Sequence, residues 1–177
     1  MADYQAPLRD MSFVLNEVFE AGKLWAQLPA LADTVDNETA TAILEEAGKV
    51  AAGSIAPTNR SGDEEGCTWT DGAVTTPQGF IEAYNTYAEG GWVGVGGDPQ
   101  FGGMGMPKMI TAQIEEMINS ANLSFGLYPM LTAGACLSIH AHASAELKAK
   151  YLPNMYSGTW AGSMCLTEPH AGTDLGI

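Results

Sequence analysis

The stretch Trp160-Ala161-Gly162-Ser163-Met164-Cys165-Leu166-Thr167-Glu168-Pro169-His170-Ala171-Gly172-Thr173-Asp174 is where the character of the chain changes. Ala161 to Leu166 has strand-like composition and leads straight into a turn built around Pro169 and Gly172. Upstream of Trp160 the apolar residues recur at helical spacing, so the expected class is mainly α, a bundle of five or six helices with strand structure confined to the last residues. The expected division falls at residue 160, with helical sequence over 1–160 and strand-like sequence over 161–177.

Working back from that junction, Ser144 to Tyr151 reads as a short helix ended by Pro153. Leu123 to Ala143 is the most apolar segment, with no Lys, Arg, Asp or Glu between Glu116 and Glu146. Its length would allow a membrane span. Pro129, the polar Ser124, Thr132, Ser138, His140 and His142, and the lack of basic flanks favour a helix apolar on all sides, buried at the centre of the bundle. Pro107 opens another helix, with Met109, Ile110, Ile114, Met117 and Ile118 on one face and Gln113, Glu115 and Glu116 opposite.

Trp92 to Pro107 carries Gly94, Gly96, Gly97, Gly102, Gly103 and Gly105. It has neither GxGxxG in a strand–turn–helix frame nor GxxxxGK[ST], and it reads as a compact glycine-rich connection rather than a phosphate loop. Before it, Thr76-Pro77 predicts a helix start, Phe80, Tyr84 and Tyr87 the apolar side, and Gly90-Gly91 the stop. Asn59 to Thr75, with Asp63-Glu64-Glu65, reads as a solvated loop. Asp36 or Asn37 caps a helix striped by Ala40, Ile43, Leu44, Ala47 and Val50 that ends at Pro57. Leu8, Met11, Leu15, Val18 and Phe19 predict a first amphipathic helix ending around Gly22.

The 177 residues carry 7 basic and 21 acidic side chains, a formal charge of −14. That surface repels phosphate backbones and anionic headgroups, so neither nucleic acid nor a membrane is expected as a partner. Cys67, Cys136 and Cys165 are odd in number and far apart, which fits a reducing compartment. Met1-Ala2-Asp3-Tyr4 has no basic segment followed by an apolar run, and the expected location is cytoplasmic.

Met164-Cys165-Leu166-Thr167-Glu168-Pro169-His170-Ala171-Gly172-Thr173-Asp174 resembles the first signature of the acyl-CoA dehydrogenases, Thr-Glu-Pro-x-Ala-Gly-(Ser/Thr)-Asp. Glu146-Leu147-Lys148-x-Lys150-Tyr151-Leu152-Pro153 is similar to the family's approach to that motif, and Gln100-Phe101-Gly102-Gly103-Met104-Gly105 to its Tyr-Gly-Gly-x-Gly turn. The opening Ala6-Pro7-Leu8-Arg9-Asp10-Met11 resembles a branch acting on 3-methylmercaptopropionyl-CoA and related thioesters.

The resemblance implies FAD as cofactor, an acyl-CoA thioester as substrate, α,β-dehydrogenation of its Cα–Cβ bond, an electron-transfer flavoprotein or similar acceptor, and a homo-oligomer. It implies that Met164, Leu166, Thr167, Gly172 and Thr173 bind the flavin, with Leu166 and Thr167 at the ring and Thr173 at the diphosphate side, where it would also contact the acyl-CoA. Physically, an extended segment can lie along a planar ligand, and Ala171-Gly172 lets backbone amides approach an anion. Glu168 and Asp174 are expected to brace the turn, since like charges beside phosphates cost stability. His170 is expected to be an exposed turn residue.

In the family the catalytic base is a carboxylate of a carboxy-terminal helical domain. Glu115 and Glu116 lie on a polar helix face and do not replace it, so no catalytic residue is expected in this chain, which reads as the amino-terminal part of a longer enzyme, inactive alone. A naturally short, non-catalytic oligomerisation or regulatory module is the alternative. Cys136 and His140, one helical turn apart, with His142 following, suggest a metal pair without the further ligands a site needs, so none is expected.

Overall fold

The computed structural model describes residues 4–176. The leader reading at Met1 to Asp3 lies outside them. Helix α1 spans Leu8–Phe13 and passes into a π-helical turn over Val14–Val18. The helix does not continue to Gly22, because Glu20 takes a left-handed conformation (φ 46°) and the chain restarts as α2, Ala21–Trp25. Met11 and Leu15 are buried, whereas Val18 and Phe19 are more than half exposed.

Helix α3 spans Asn37–Val50 and is capped by Asp36, whose carboxylate accepts from the Thr39 amide at 2.7 Å. That bond holds the Asp36 carboxyl below its ordinary range. Ala40, Leu44 and Ala47 are buried as the periodicity requires. Pro57 does not end the helical run. A π-helical turn over Ala51–Ile55 precedes it, and α4 continues from Pro57 to Glu65. A widened turn relieves the clash of a proline ring with the preceding carbonyls, and proline in a first turn gives up no intrahelical bond.

The polar stretch from Asn59 is therefore half helix, with Arg60 and Glu64 paired at 2.7 Å one turn apart. The rest is a hairpin, β1 Thr68–Thr70 antiparallel to β2 Ala73–Thr75, with Trp69 opposite Val74. Asp71 (φ 50°) and Gly72 (φ 85°) make its two-residue turn.

Helix α5, Phe80–Glu89, starts after Gly79 rather than at Pro77, which is buried ahead of it. Two 3₁₀ turns, Trp92–Gly94 and Pro99–Phe101, shape the glycine-rich connection. Helix α6, Lys108–Ala121, buries Ile110, Ile114, Met117 and Ile118. Helix α7 spans Leu123–His142 with Pro129 inside it. Helix α8, Ala145–Tyr156, is capped by the Ser144 hydroxyl and carries Pro153 within its length rather than stopping there.

The main core joins Met11, Leu15, Trp25, Leu44, Ile55, Tyr87, Ile110, Ile114 and Met117 from α1 to α6 with Phe125 at the start of α7. A smaller cluster of Cys136, Leu152, Met155 and Tyr156 fastens α8 to α7. Two sequence expectations fail here. Helix α7 is not buried all round: Phe125, Gly126, Pro129, Thr132 and Cys136 form one packed stripe, while Leu123, Leu127, Tyr128, Met130 and Leu137 are exposed. Its neighbours α6 and α8 cover one side only. No helix of the described residues is long and apolar enough to cross a membrane.

The second concerns Ala161 to Leu166. The class is mainly α, but this segment forms no strand; it runs without a pairing neighbour and closes in an isolated bridge between Glu168 and Ala171. A strand needs a neighbouring strand to complete its hydrogen bonds. The only sheet among the described residues is the hairpin.

Candidate functional site

The motif-bearing segment leaves α8 along the side of α7. The Trp160 amide donates to the Asn154 carbonyl at 3.0 Å, and the Trp160 ring lies tilted against Tyr151, centroids 5.8 Å apart. The Gly162 amide then donates to the Thr132 hydroxyl at 3.1 Å. Beyond that contact the chain stands in solvent: Met164 is 62% exposed and Leu166 43%. Thr167, His170 and Thr173 are exposed and Gly172 half-buried.

The turn holds itself. The Glu168 amide donates to the Ala171 carbonyl at 2.7 Å, the Ala171 amide returns the bond at 3.2 Å, and the Asp174 carboxylate accepts from the Gly176 amide at 2.9 Å. Glu168 acts through its backbone and Asp174 through its side chain. An added Cβ at Gly172 would meet nothing within 4 Å, so the bundle itself makes no steric demand for glycine there. It does at Gly162, where a Cβ would stand 2.6 Å from that of Ala135.

Met164, Leu166, Thr167, Gly172 and Thr173 lie along one segment, where all but the half-buried Gly172 are exposed. None of them lines either of the two larger clefts. The first cleft, about 250 Å³, lies between the glycine-rich connection, α6, α7 and α8, with Trp92, Val95, Met106, Ile114, Met130 and Cys136 among its walls. Lys108 and Glu115, paired at 2.7 Å, belong to its rim, which ties up Glu115. The second, about 610 Å³, is walled by Phe80, Ile81, Tyr84, Phe125 and Tyr128 between α4, α5 and α7. Tyr84 and Tyr128 meet there edge to face, 5.1 Å apart.

His140 faces the glycine-rich connection rather than Cys136. Its Nε2 lies 2.9 Å from the Asp98 carboxylate, which also accepts from the Gln100 amide at 2.8 Å. Together these bonds hold the Asp98 carboxyl below its ordinary range, the His140 contact contributing most. Among the described residues no group of three or more potential metal ligands converges. Burial pushes the Cys136 thiol up to about 11.

Residues 37–159 match the family described as Acyl-CoA dehydrogenase, N-terminal domain. That span is more than half of the 177 residues. The chain belongs to the acyl-CoA dehydrogenase family. It is 40% identical to the 3-methylmercaptopropionyl-CoA dehydrogenase of Ruegeria pomeroyi over 97% of its own length and 29% of that protein's. A butyryl-CoA dehydrogenase of Syntrophomonas wolfei is 38% identical over 98% of the chain and 29% of its own length. The fold matches that of an acyl-CoA dehydrogenase from Bacillus anthracis, solved complexed with FAD, at a TM-score of 0.65 and 22% identity, over 82% of this chain and 23% of that one. The chain thus spans under a third of the length of the curated relatives it matches.

Thr132 and Gly162, which tie the exposed edge to the bundle, escaped the sequence reading. A threonine in an apolar helix carried the signal, because a buried hydroxyl needs a partner.

Proposed function

We propose that this chain is the amino-terminal part of a flavin-dependent oxidoreductase that desaturates the Cα–Cβ bond of acyl-CoA thioesters. The observation that carries the reading is the edge from Met164 to Thr173, exposed and held in shape by its own turn, in a chain that aligns along nearly its whole length with relatives named as acyl-CoA dehydrogenases. In this reading residues 1–160 form the helical domain and 161–177 begin the next. The matched family range, closing at residue 159, supports that boundary.

The edge has the chemistry that FAD requires. Met164 and Leu166 offer apolar surface to a ring, Thr167 and Thr173 offer hydroxyls, and Gly172 has open space around it for backbone amides to reach a pyrophosphate. Bound FAD supplies the hydride acceptor. This chain's residues would hold one side of the flavin, and Thr173 would also meet the acyl-CoA. In this reading the catalytic base comes from elsewhere in the enzyme; Glu115 is engaged by Lys108, and Glu116 is an exposed residue of α6. An electron-transfer flavoprotein or similar acceptor, assembly as a homo-oligomer, and a cytoplasmic location complete the reading; the cysteines, none in a disulfide, support the last.

A single edge cannot bury most of a ligand's surface, as a tight site must. The 177-residue chain is therefore expected to bind FAD weakly or not at all and to show no turnover. In a polypeptide carrying this chain together with the rest of the family length, an acyl-CoA should bleach the flavin absorbance, and Thr173→Val should weaken flavin or substrate binding by ~1–3 kcal/mol. Stoichiometric FAD on the 177 residues alone, reduced by an acyl-CoA, would overturn the account.

A further inference from the structure

Beyond Trp160, one hydrogen bond among the described residues joins the exposed segment to the helical body, and a second, independent feature converges on the same position. The first is Thr132, a fully buried polar residue in the apolar stripe of α7, whose hydroxyl accepts from the Gly162 amide at 3.1 Å. The second is the close approach of the backbones. A Cβ at Gly162 would come within 2.6 Å of Ala135 Cβ and 3.2 Å of both Met155 Cε and Thr132 Cα. Hydrogen bond and glycine contact lie on the same face of α7 and fix both the depth and the direction in which residues 163–176 leave the bundle.

We propose that Thr132 is a positioning residue for the flavin-facing edge. Its hydroxyl, with the glycine contact at Gly162, sets where Met164 to Thr173 stands relative to the helices, although Thr132 itself touches none of those residues by hydrogen bond. A valine would fit the same volume, so packing alone does not call for the hydroxyl; the amide of Gly162 does. Without it that amide would be half-buried with no acceptor, and the least costly relief is for the segment to lift away, because none of the described residues beyond Gly162 is fully buried. The purpose of the clamp rests on the proposed flavin reading; its existence does not.

The test is amide hydrogen exchange and chemical-shift mapping by NMR on the 177-residue protein, comparing Thr132→Val with Thr132→Ser. Thr132→Val is expected to speed exchange at Gly162 about tenfold and to move the resonances of residues 161–167, with the amides of α3 and α6 unchanged. Thr132→Ser keeps the hydroxyl and should restore the native pattern. Unchanged exchange at Gly162, or acceleration spread evenly through the bundle, would show that Thr132 only fills space and would overturn the clamp. Gly162→Ala provides a second route should Thr132→Val fail to fold: intact helices with displaced 161–167 resonances support the clamp, and undisturbed resonances refute it. FAD affinity of the family-length polypeptide separates the two claims. A local NMR effect with affinity untouched by both Thr132→Val and Thr173→Val would sink the flavin reading and the purpose assigned to the clamp, while leaving its geometry standing.

Discussion

Asn122 donates from its side-chain amide to the Thr58 hydroxyl at 2.9 Å, joining the start of α7 to α4 across 64 residues of sequence. Both residues are buried, and each has a second partner. Thr58 donates onward to the Ile55 carbonyl at 2.7 Å, and the side-chain Oδ1 of Asn122 accepts from the Phe125 amide at 3.2 Å, which caps α7. One side chain therefore fixes the direction of α7 and ties it to the helix that follows Pro57.

Asn122→Ala removes a helix cap and a buried hydrogen bond at once. It should lower unfolding free energy by ~2–3 kcal/mol, read as the shift in urea midpoint at unchanged slope. A loss below ~0.5 kcal/mol would mean that packing of Phe125 alone orients α7.

Two glycines should respond in opposite directions. A Cβ at Gly103 would fall 2.2 Å from the carbonyl carbon and oxygen of Gly97, backbone that cannot yield without opening the glycine-rich connection. Gly134, exposed on α7, has nothing within 4 Å of the same position. Thermal unfolding of Gly103→Ala should fall by several degrees. Gly134→Ala should gain ~0.5–1 kcal/mol from helix propensity.

Acid should weaken the contact between α7 and the glycine-rich connection. The Asp98 carboxyl is held low in the folded state, mainly by His140. On acidification the unfolded chain takes up the Asp98 proton first. The stabilisation is thus complete above the ordinary carboxylate range, about pH 4, and is lost as pH falls through the folded value. Asp98→Asn should reduce the melting temperature at pH 6, and its difference from the native protein should shrink by pH 3. A difference independent of pH would show that the pair contributes no charge-linked stability.

Thiol chemistry should count two and one. Cys67 and Cys165 are exposed, whereas Cys136 is buried between α7 and α8 with its thiol pushed up to about 11. Ellman's reagent at pH 8 should titrate two thiols quickly and the third only after denaturation. Three fast thiols would mean that α8 separates readily from α7.

Where a local rule sufficed, the elements were legible in the sequence. Asp36 and Ser144 cap the helices they precede, Pro107 stands just before α6, and Gly90-Gly91 closes α5. The hairpin at 68–75 was also within reach, since Asp71-Gly72 between Thr68-Trp69-Thr70 and Ala73-Val74-Thr75 is a turn signal, but the charge run beside it masked the pattern. Pro57 and Pro153 misled, because a proline ends a helix only when neighbouring turns cannot adjust, and one of them follows a π-helical turn.

By itself, the sequence determined the helical class and most helix starts, because each depends on residues a few positions apart. Only the tertiary structure decided which side of α7 is packed, that the Ala161 to Leu166 segment has no pairing strand, and that Thr132 holds Gly162. Composition records how apolar a helix is. Which face finds a neighbour, and whether an extended segment finds a partner, depends on residues brought together from distant parts of the chain.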